Sequence, residues 1–327
     1  MNAGQAYAIK LVTQNGKLLV MEPTANGAAI AFEEYLDEHK AIAEAASLAS
    51  DSDITVIYAG RDGQYESEGF DLDTTLLPDN QNEMIKAVAA ASKCTVLVLH
   101  CGNPIDVSPF VDDVDAILNA HFPGQEGAQA LVDILLGKVN PSGKLATTWF
   151  NQFTDALSLE FFPAKQNGEK FEIRYEEGLQ VGYRADKAQA KVRWPFGFGL
   201  SYTTFGYSDL TVKEVNGQSP LDSVLECTVT VTNTGNRMGK EVVQLYVSPP
   251  ATAGLWRPTR ELRGFTKVSL EPGESKVVHV QIESKIGCSY WDESQGCWRL
   301  ESGLYSARVA ECSTEFRIAE GVTWTGL

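Results

Sequence analysis

The chain has 327 residues, of which 43% are hydrophobic and 21% charged, and its 27 Lys+Arg against 43 Asp+Glu give a formal net charge of -16. That length suggests two or three domains, and the composition excludes global disorder. The 28 Gly and 13 Pro are scattered without a period, which excludes a collagenous or repeat-tract chain. The negative surface is set against nucleic-acid phosphates and anionic membranes, so neither is an expected partner.

The chain start, Met1 to Gln5, is mostly polar or small, and the short strand-like run that follows is interrupted by Lys10. This is no signal-peptide core, and no run is long and apolar enough to span a bilayer. The expected compartment is the cytoplasm, or outside the cell if an upstream portion carries an export signal. Segments 6–13 and 17–22 read as two strands around the Asn15-Gly16 turn. Two strands cannot bury a core, so residues 1–27 read as the remnant of another β domain or as an edge addition to the next one.

From Phe32 to Trp149 the pattern alternates helix and strand. Residues 33–49 place Leu36, Ile42, Ala45, Ala46 and Leu48 near one helical face. A short β-rich run from Asp53 ends at Gly60, and a polar, acidic loop follows from Arg61 to Asn80. A second helix is expected over 80–92, capped by Asp79 or Asn80. Thr95 to His100 is an apolar run of the kind buried on both faces of a parallel sheet. Further strands are expected at 116–122 and from 145 to 149, with a helix over 125–136 ended by Gly137. Alternation of this kind predicts a mostly parallel sheet with helices outside it, over residues 28–185.

Residues 150–205 are irregular, and 186–205 hold Trp194, Phe196, Phe198, Tyr202 and Phe205, which predicts a packed connector rather than a flexible linker. After Tyr207 the helical period disappears. Alternating runs at 208–215, 224–233, 240–248, 260–268, 275–283, 288–292, 297–301, 303–310 and 314–319, separated by Gly- and Asn-containing turns, predict an antiparallel β-sandwich over 206–327.

Six cysteines are too few for a disulfide scaffold. Cys227 reads as a small core residue, and so do Cys94 and Cys101 at the ends of one apolar strand. Cys288 and Cys297 bracket a hairpin and can pair in an oxidising compartment. No CxxC or clustered Cys/His spacing points to zinc, and no cofactor is expected. Gly137 to Lys144 has one residue too many between its glycines for a phosphate loop, and Leu145 stands where Ser or Thr is needed. Gly197-Phe-Gly199 lacks the third glycine of a dinucleotide turn, and there is no Gly-x-Ser-x-Gly nucleophile elbow. His39, His100, His121 and His279 are isolated in sequence.

The stretch Tyr65-Glu66-Ser67-Glu68-Gly69-Phe70-Asp71 follows a strand of the α/β region, where open sheets place their ligands. It is a solvated acidic loop or a source of general acid catalysis by a carboxyl in a partly buried setting. Its spacing does not fit an EF-hand.

Glu66-Ser-Glu68-Gly-Phe-Asp71 with Leu77-Pro78 resembles the family 3 glycoside hydrolases of the β-glucosidase type. So do Gly102-Asn-Pro-Ile, Phe122-Pro-Gly-Gln-Glu-Gly127, Gly137-Lys-Val-Asn-Pro-Ser-Gly-Lys-Leu145, Val181-Gly-Tyr-Arg184, the Pro195–Phe205 block and Arg257-Pro-Thr-Arg-Glu-Leu-Arg-Gly-Phe265. These blocks run in register across residues 30–327, most similar to members that carry an inserted PA14 domain, whose last strands resemble residues 6–22. The resemblance implies a flavodoxin-like α/β sandwich with a mostly parallel sheet, followed by a fibronectin-III-like β-sandwich. It implies a retaining two-carboxylate hydrolysis of β-glucosides, with Glu68 as general acid/base and Glu66 as the alternative. It also implies that the Asp nucleophile belongs to a (β/α)8 barrel that would precede this chain or come from a separate one. The chain departs from the pattern at Leu72, where Arg is common, at Ala185-Asp186-Lys187, and at Phe110, where Trp is common. Two rival readings are a non-catalytic carbohydrate-binding or scaffold protein, and a truncated product associated with a secondary-metabolite pathway.

Overall fold

The computed structural model describes residues 36–326 except Phe70, Asp79, Pro163, Ala164, Glu169, Asn216, Gln218 and 252–254. The strands expected at 6–13 and 17–22, and the domain edge at 27/28, lie outside the described residues.

The α/β part is built from α1 (Glu38–Ser50), β1 (Thr55–Gly60), α2 (Gln81–Ala91), β2 (Thr95–His100), β3 (Ala116–Asn119) and α3 (Gly127–Leu135). The three strands form a parallel sheet in the order β1-β2-β3, with Thr55 opposite Thr95 and Val96 opposite Ala116. Leu97, Val98 and Leu99 are wholly buried, as the continuous apolar run of β2 requires when both faces are covered. Ile57 and Ala59 of β1 join Ile85, Val88, Leu97, Leu99 and Phe110 in one core. Phe110, at a position where Trp is common, therefore serves as packing. α1 starts as its sequence suggests, with Asp37 accepting a hydrogen bond from the Lys40 amide at 3.2 Å.

Several expected elements are shorter or differ in detail. β3 ends at Asn119, because His121 takes a left-handed backbone (φ 51°) that a strand cannot continue. Asn80 stands at the N-cap of α2 but makes no capping hydrogen bond, because its amide reaches Glu38 instead. The strand expected over 145–149 is only β4 (Trp149–Phe150). After the short hairpin β5 (Lys165–Asn167) and β6 (Lys170–Glu172), β4 pairs with β7 (Val192–Trp194).

The second half is antiparallel. One sheet runs β11-β10-β15-β16 and the facing sheet β12-β9-β8, from β8 (Phe205–Val215), β9 (Val224–Asn233), β10 (Gly239–Ser248), β11 (Glu261–Leu270), β12 (Ser275–Glu283), β15 (Gly303–Val309) and β16 (Cys312–Ile318). β9 alternates buried and half-buried residues along its whole length, and Leu225, Val231, Val243, Leu245, Leu270 and Ala307 are fully buried between the sheets. A third, small sheet joins β13 (Tyr290–Asp292), β14 (Cys297–Leu300) and β17 (Val322–Trp324), lining up Trp291, Trp298 and Trp324 across the strands. β17 was not expected from the sequence. A one-turn helix, α4 (Ser284–Cys288), replaces the start of the strand expected at 288. All six cysteines are free thiols, Cys288 and Cys297 included.

The connector is packed, as its aromatics require. Trp194 lies between Trp149 and Phe198, with ring centroids 5.6 and 6.4 Å away, and Tyr183 stacks on Phe196 at 4.7 Å. Tyr202 alone among them is largely exposed, with its hydroxyl bonded to the Ile134 carbonyl at 3.0 Å. The Gly137–Leu145 run, which fails as a phosphate loop, forms the joint between the two halves. Asn140 donates to the Met238 carbonyl at 3.1 Å and accepts from Ser201 and the Tyr202 amide. Lys144 pairs with Glu241 at 3.1 Å, both mostly buried, and donates to the Gly199 carbonyl at 2.9 Å. Gly197 has a positive φ of 81°, and a Cβ there would lie 2.1 Å from Gln244 Oε1.

Candidate active site

β1 and β2 end side by side, and the loops that leave their carboxyl ends build the site, as expected for an open parallel sheet. Gly60 closes β1 because a Cβ there would sit 2.0 Å from the His100 carbonyl oxygen. The Gln81 side chain brackets Gly60, donating to its carbonyl at 3.0 Å and accepting from its amide at 2.9 Å. The loop from Arg61 to Asn80 follows, without a helix or strand among its described residues.

The structure assigns the two glutamates of this loop different environments. Glu66 is committed to the protein. Its Oε2 accepts from the Gly102 amide at 2.7 Å, its Oε1 accepts from the Asn103 amide at 3.4 Å, and Nη1 of the buried Arg61 lies 3.5 Å from Oε1. The Gly102-Asn-Pro-Ile block is thereby explained, since a Cβ on residue 102 would lie 2.6 Å from Glu66 Oε2. Glu68 is exposed, and among the described residues no hydrogen bond or ion pair holds its carboxylate. It lines an open cleft of about 960 Å³, together with Asp71, Asp106, Phe122, Phe153 and Tyr175. A concave cleft that mixes aromatic side chains with convergent polar groups is a usual setting of a small-molecule site. A carboxyl that is solvent-accessible and uncommitted can exchange a proton with a ligand, whereas one saturated by backbone amides and a guanidinium cannot without losing those bonds.

Sequence reasoning named Glu68 and Glu66, and both lie at this cleft. It missed Arg61 and Gln81, which shape the loop. The only sequence signal for Arg61 was a cation placed directly after the terminal glycine of β1. Cys101 lies beside Glu66, and burial, reinforced by the Glu66 charge, pushes its thiol from 9.0 up to about 12, against the opposing effect of Arg61. It stays protonated and is no nucleophile. Among the described residues no group of three His, Cys, Asp or Glu side chains is arranged to hold a metal ion.

Comparison with known proteins agrees with this geometry. Residues 8–202 match the glycosyl hydrolase family 3 C-terminal domain, and residues 241–313 match a fibronectin type III-like domain. A probable beta-glucosidase I from Aspergillus fumigatus is 37% identical over 343 residues, covering 100% of this chain and 40% of the relative. The thermostable beta-glucosidase B from Acetivibrio thermocellus is 40% identical over 286 residues, covering 87% of this chain and 37% of the relative. Among solved structures, the beta-glucosidase from Kluyveromyces marxianus in complex with glucose superposes with a TM-score of 0.81 at 36% identity, over 90% of this chain and 35% of that one. The chain thus spans about 40% of the length of the curated relatives it matches. The match to the C-terminal domain model over residues 8–202, with the fibronectin type III-like domain after it, establishes that this chain belongs to glycoside hydrolase family 3.

Proposed function

We propose that this chain supplies the acid/base half of a retaining β-glucosidase, with Glu68 as the proton donor and acceptor. The observation that carries the proposal is the division of labour on the loop: Glu66 is bound at both oxygens, and Glu68 stands uncommitted in the cleft. In a retaining mechanism the protonated acid gives its proton to the glycosidic oxygen as a carboxylate nucleophile attacks the anomeric carbon. The same group, now ionised, then takes a proton from the water that releases the sugar. The nucleophile must sit across the scissile bond, about 5–5.5 Å from the acid. Glu66 and Glu68 are two residues apart on one loop and cannot take opposite sides. The nucleophile therefore belongs to the portion of the relatives that this chain does not span, the barrel, in the same polypeptide or in a partner.

The test is Glu68→Gln in the enzyme completed by its barrel. Hydrolysis should fall by ~10²–10⁴-fold, the usual weight of general acid–base catalysis. The loss should be largest for poor leaving groups and smallest for activated aryl glucosides, which need little protonation. An equal loss for every leaving group, or none, would remove Glu68 from this role.

A further inference from the structure

Among the described residues, the segment from 61 to 80 has no helix or strand of its own, and irregular connections of that length are uncommon inside compact domains. A loop left free over that length would spread Glu68 over many positions, and fixing it carries a closure entropy that grows with the free length. One side chain removes most of that freedom. Arg61 is buried, with its guanidinium inside the loop. Nη2 donates to the Thr74 carbonyl at 3.2 Å and to the Leu76 carbonyl at 2.8 Å. Nη1 lies 3.5 Å from Glu66 Oε1, and the Arg61 amide donates to the His100 carbonyl at 2.9 Å. One residue at the root of the loop thus holds a point early in it and a point near its far end. What is left between the ties is the arch 67–73, which carries Glu68 and Asp71.

We propose that Arg61 is the positioning residue of the acid loop. Its charge neutralises Glu66, which turns that carboxylate into a strut, and its planar fork ties the two ends of the arch to the end of β1. The role depends on the fork. A lysine has one point charge and could keep the partner Glu66, but it could not also reach two carbonyls along fixed directions. That Arg61 positions a proton donor rests on the reading of Glu68 above. That it fixes the loop does not, and the experiment separates the two.

Two amides outside the loop report its placement by hydrogen exchange: Gly102, which donates to Glu66, and Asp106, which donates to the Thr75 carbonyl at 2.8 Å. The β2 amides from Leu97 to Leu99 are the internal control. Arg61→Met alone would leave Glu66 buried without its cation and could unfold the domain, so it is paired with Glu66→Gln, which removes both charges and keeps an acceptor for Gly102. In this double variant both reporters should exchange on the order of tenfold faster or more, with the β2 amides unchanged. Arg61→Lys should restore protection at Gly102 and leave Asp106 fast. In the barrel-completed enzyme, Arg61→Lys should lower kcat with little change in KM. Unchanged reporters in the folded double variant would overturn the proposal, and so would equal acceleration of reporters and β2 amides, which is a general loss of stability. Absence of turnover from the completed wild-type enzyme would count against the glycosidase reading and leave the exchange result standing.

Discussion

Glu66 and Glu68 stand two residues apart on the loop that leaves β1. They are adjacent in pattern, identical in type and line the same cleft, yet one is saturated by two backbone amides and a guanidinium and the other is exposed. Residue spacing alone could not tell their environments apart, because the difference depends on Gly102 and Arg61, which are remote from each other in sequence and meet only when β1 and β2 pair. The resemblance to a known family supplied the order of preference instead. Two substitutions test the Glu66 clamp. Removing one partner of a buried ion pair strands the other, so Glu66→Ala should lower the stability of the α/β part by ~3–5 kcal/mol in denaturant titration. Gly102→Ala puts a methyl 2.6 Å from the Glu66 carboxylate and should cost ~1–3 kcal/mol while displacing that side chain. If Gly102→Ala were neutral in stability and left the Gly102 amide protected, the clamp would not be as described.

At the level of elements, what was legible was periodic. β2 was readable as a continuous apolar run, and β9, β10 and β12 as alternation, because a strand buried on one face must repeat every second residue. What was not legible depended on distant partners. β17 is three residues long and exists because β14 pairs with it, and β3 stops early because of the backbone at His121. The same buried elements set the response to alkali. Burial raises the thiols of Cys101, Cys227 and Cys288 from 9.0 to about 12, and the phenols of Tyr246 and Tyr305 from 10.0 to about 12. Groups whose pKa is raised by folding stabilise fully below the unfolded value, and that stability drains away as pH climbs through the folded one. Stability should therefore be flat in this respect up to about pH 9 and fall between about 9 and 12, followed as the unfolding midpoint against pH. A midpoint unchanged to pH 11 would contradict these burials. At the joint, Gly199→Ala places a Cβ 2.2 Å from the Gly143 carbonyl oxygen, and the melting temperature should drop as both strands of the joint give way.

For the whole molecule, the consequence of spanning about 40% of its relatives is chemical. The function proposed above needs a second carboxylate across the scissile bond from Glu68, and Glu66 and Glu68 lie two residues apart on one loop. Residues 1–327 alone should show no turnover of an aryl β-glucoside above background, and adding a family barrel should bring turnover back. Robust turnover by the isolated chain, lost in Glu68→Gln, would mean that a nucleophile lies elsewhere in it. Val56 and Tyr58 are exposed on a strand that forms one edge of the three-stranded sheet, a surface that in stable proteins is normally covered.

The joint between the halves also bears on how such chains can be recombined. The Lys144–Glu241 pair, the Asn140 bond to Met238 and the seat of Gly197 on Gln244 each reach into the sandwich from outside it, while Asn140 also holds the connector through Ser201 and Tyr202. The sandwich is therefore not an interchangeable module. A chimera cut in the 186–205 connector would inherit half of each contact and leave a mostly buried lysine facing a foreign strand. A graft that respects the joint must move the 140–145 turn, the 195–203 run and the sandwich together, so the unit of exchange is larger than either domain taken alone.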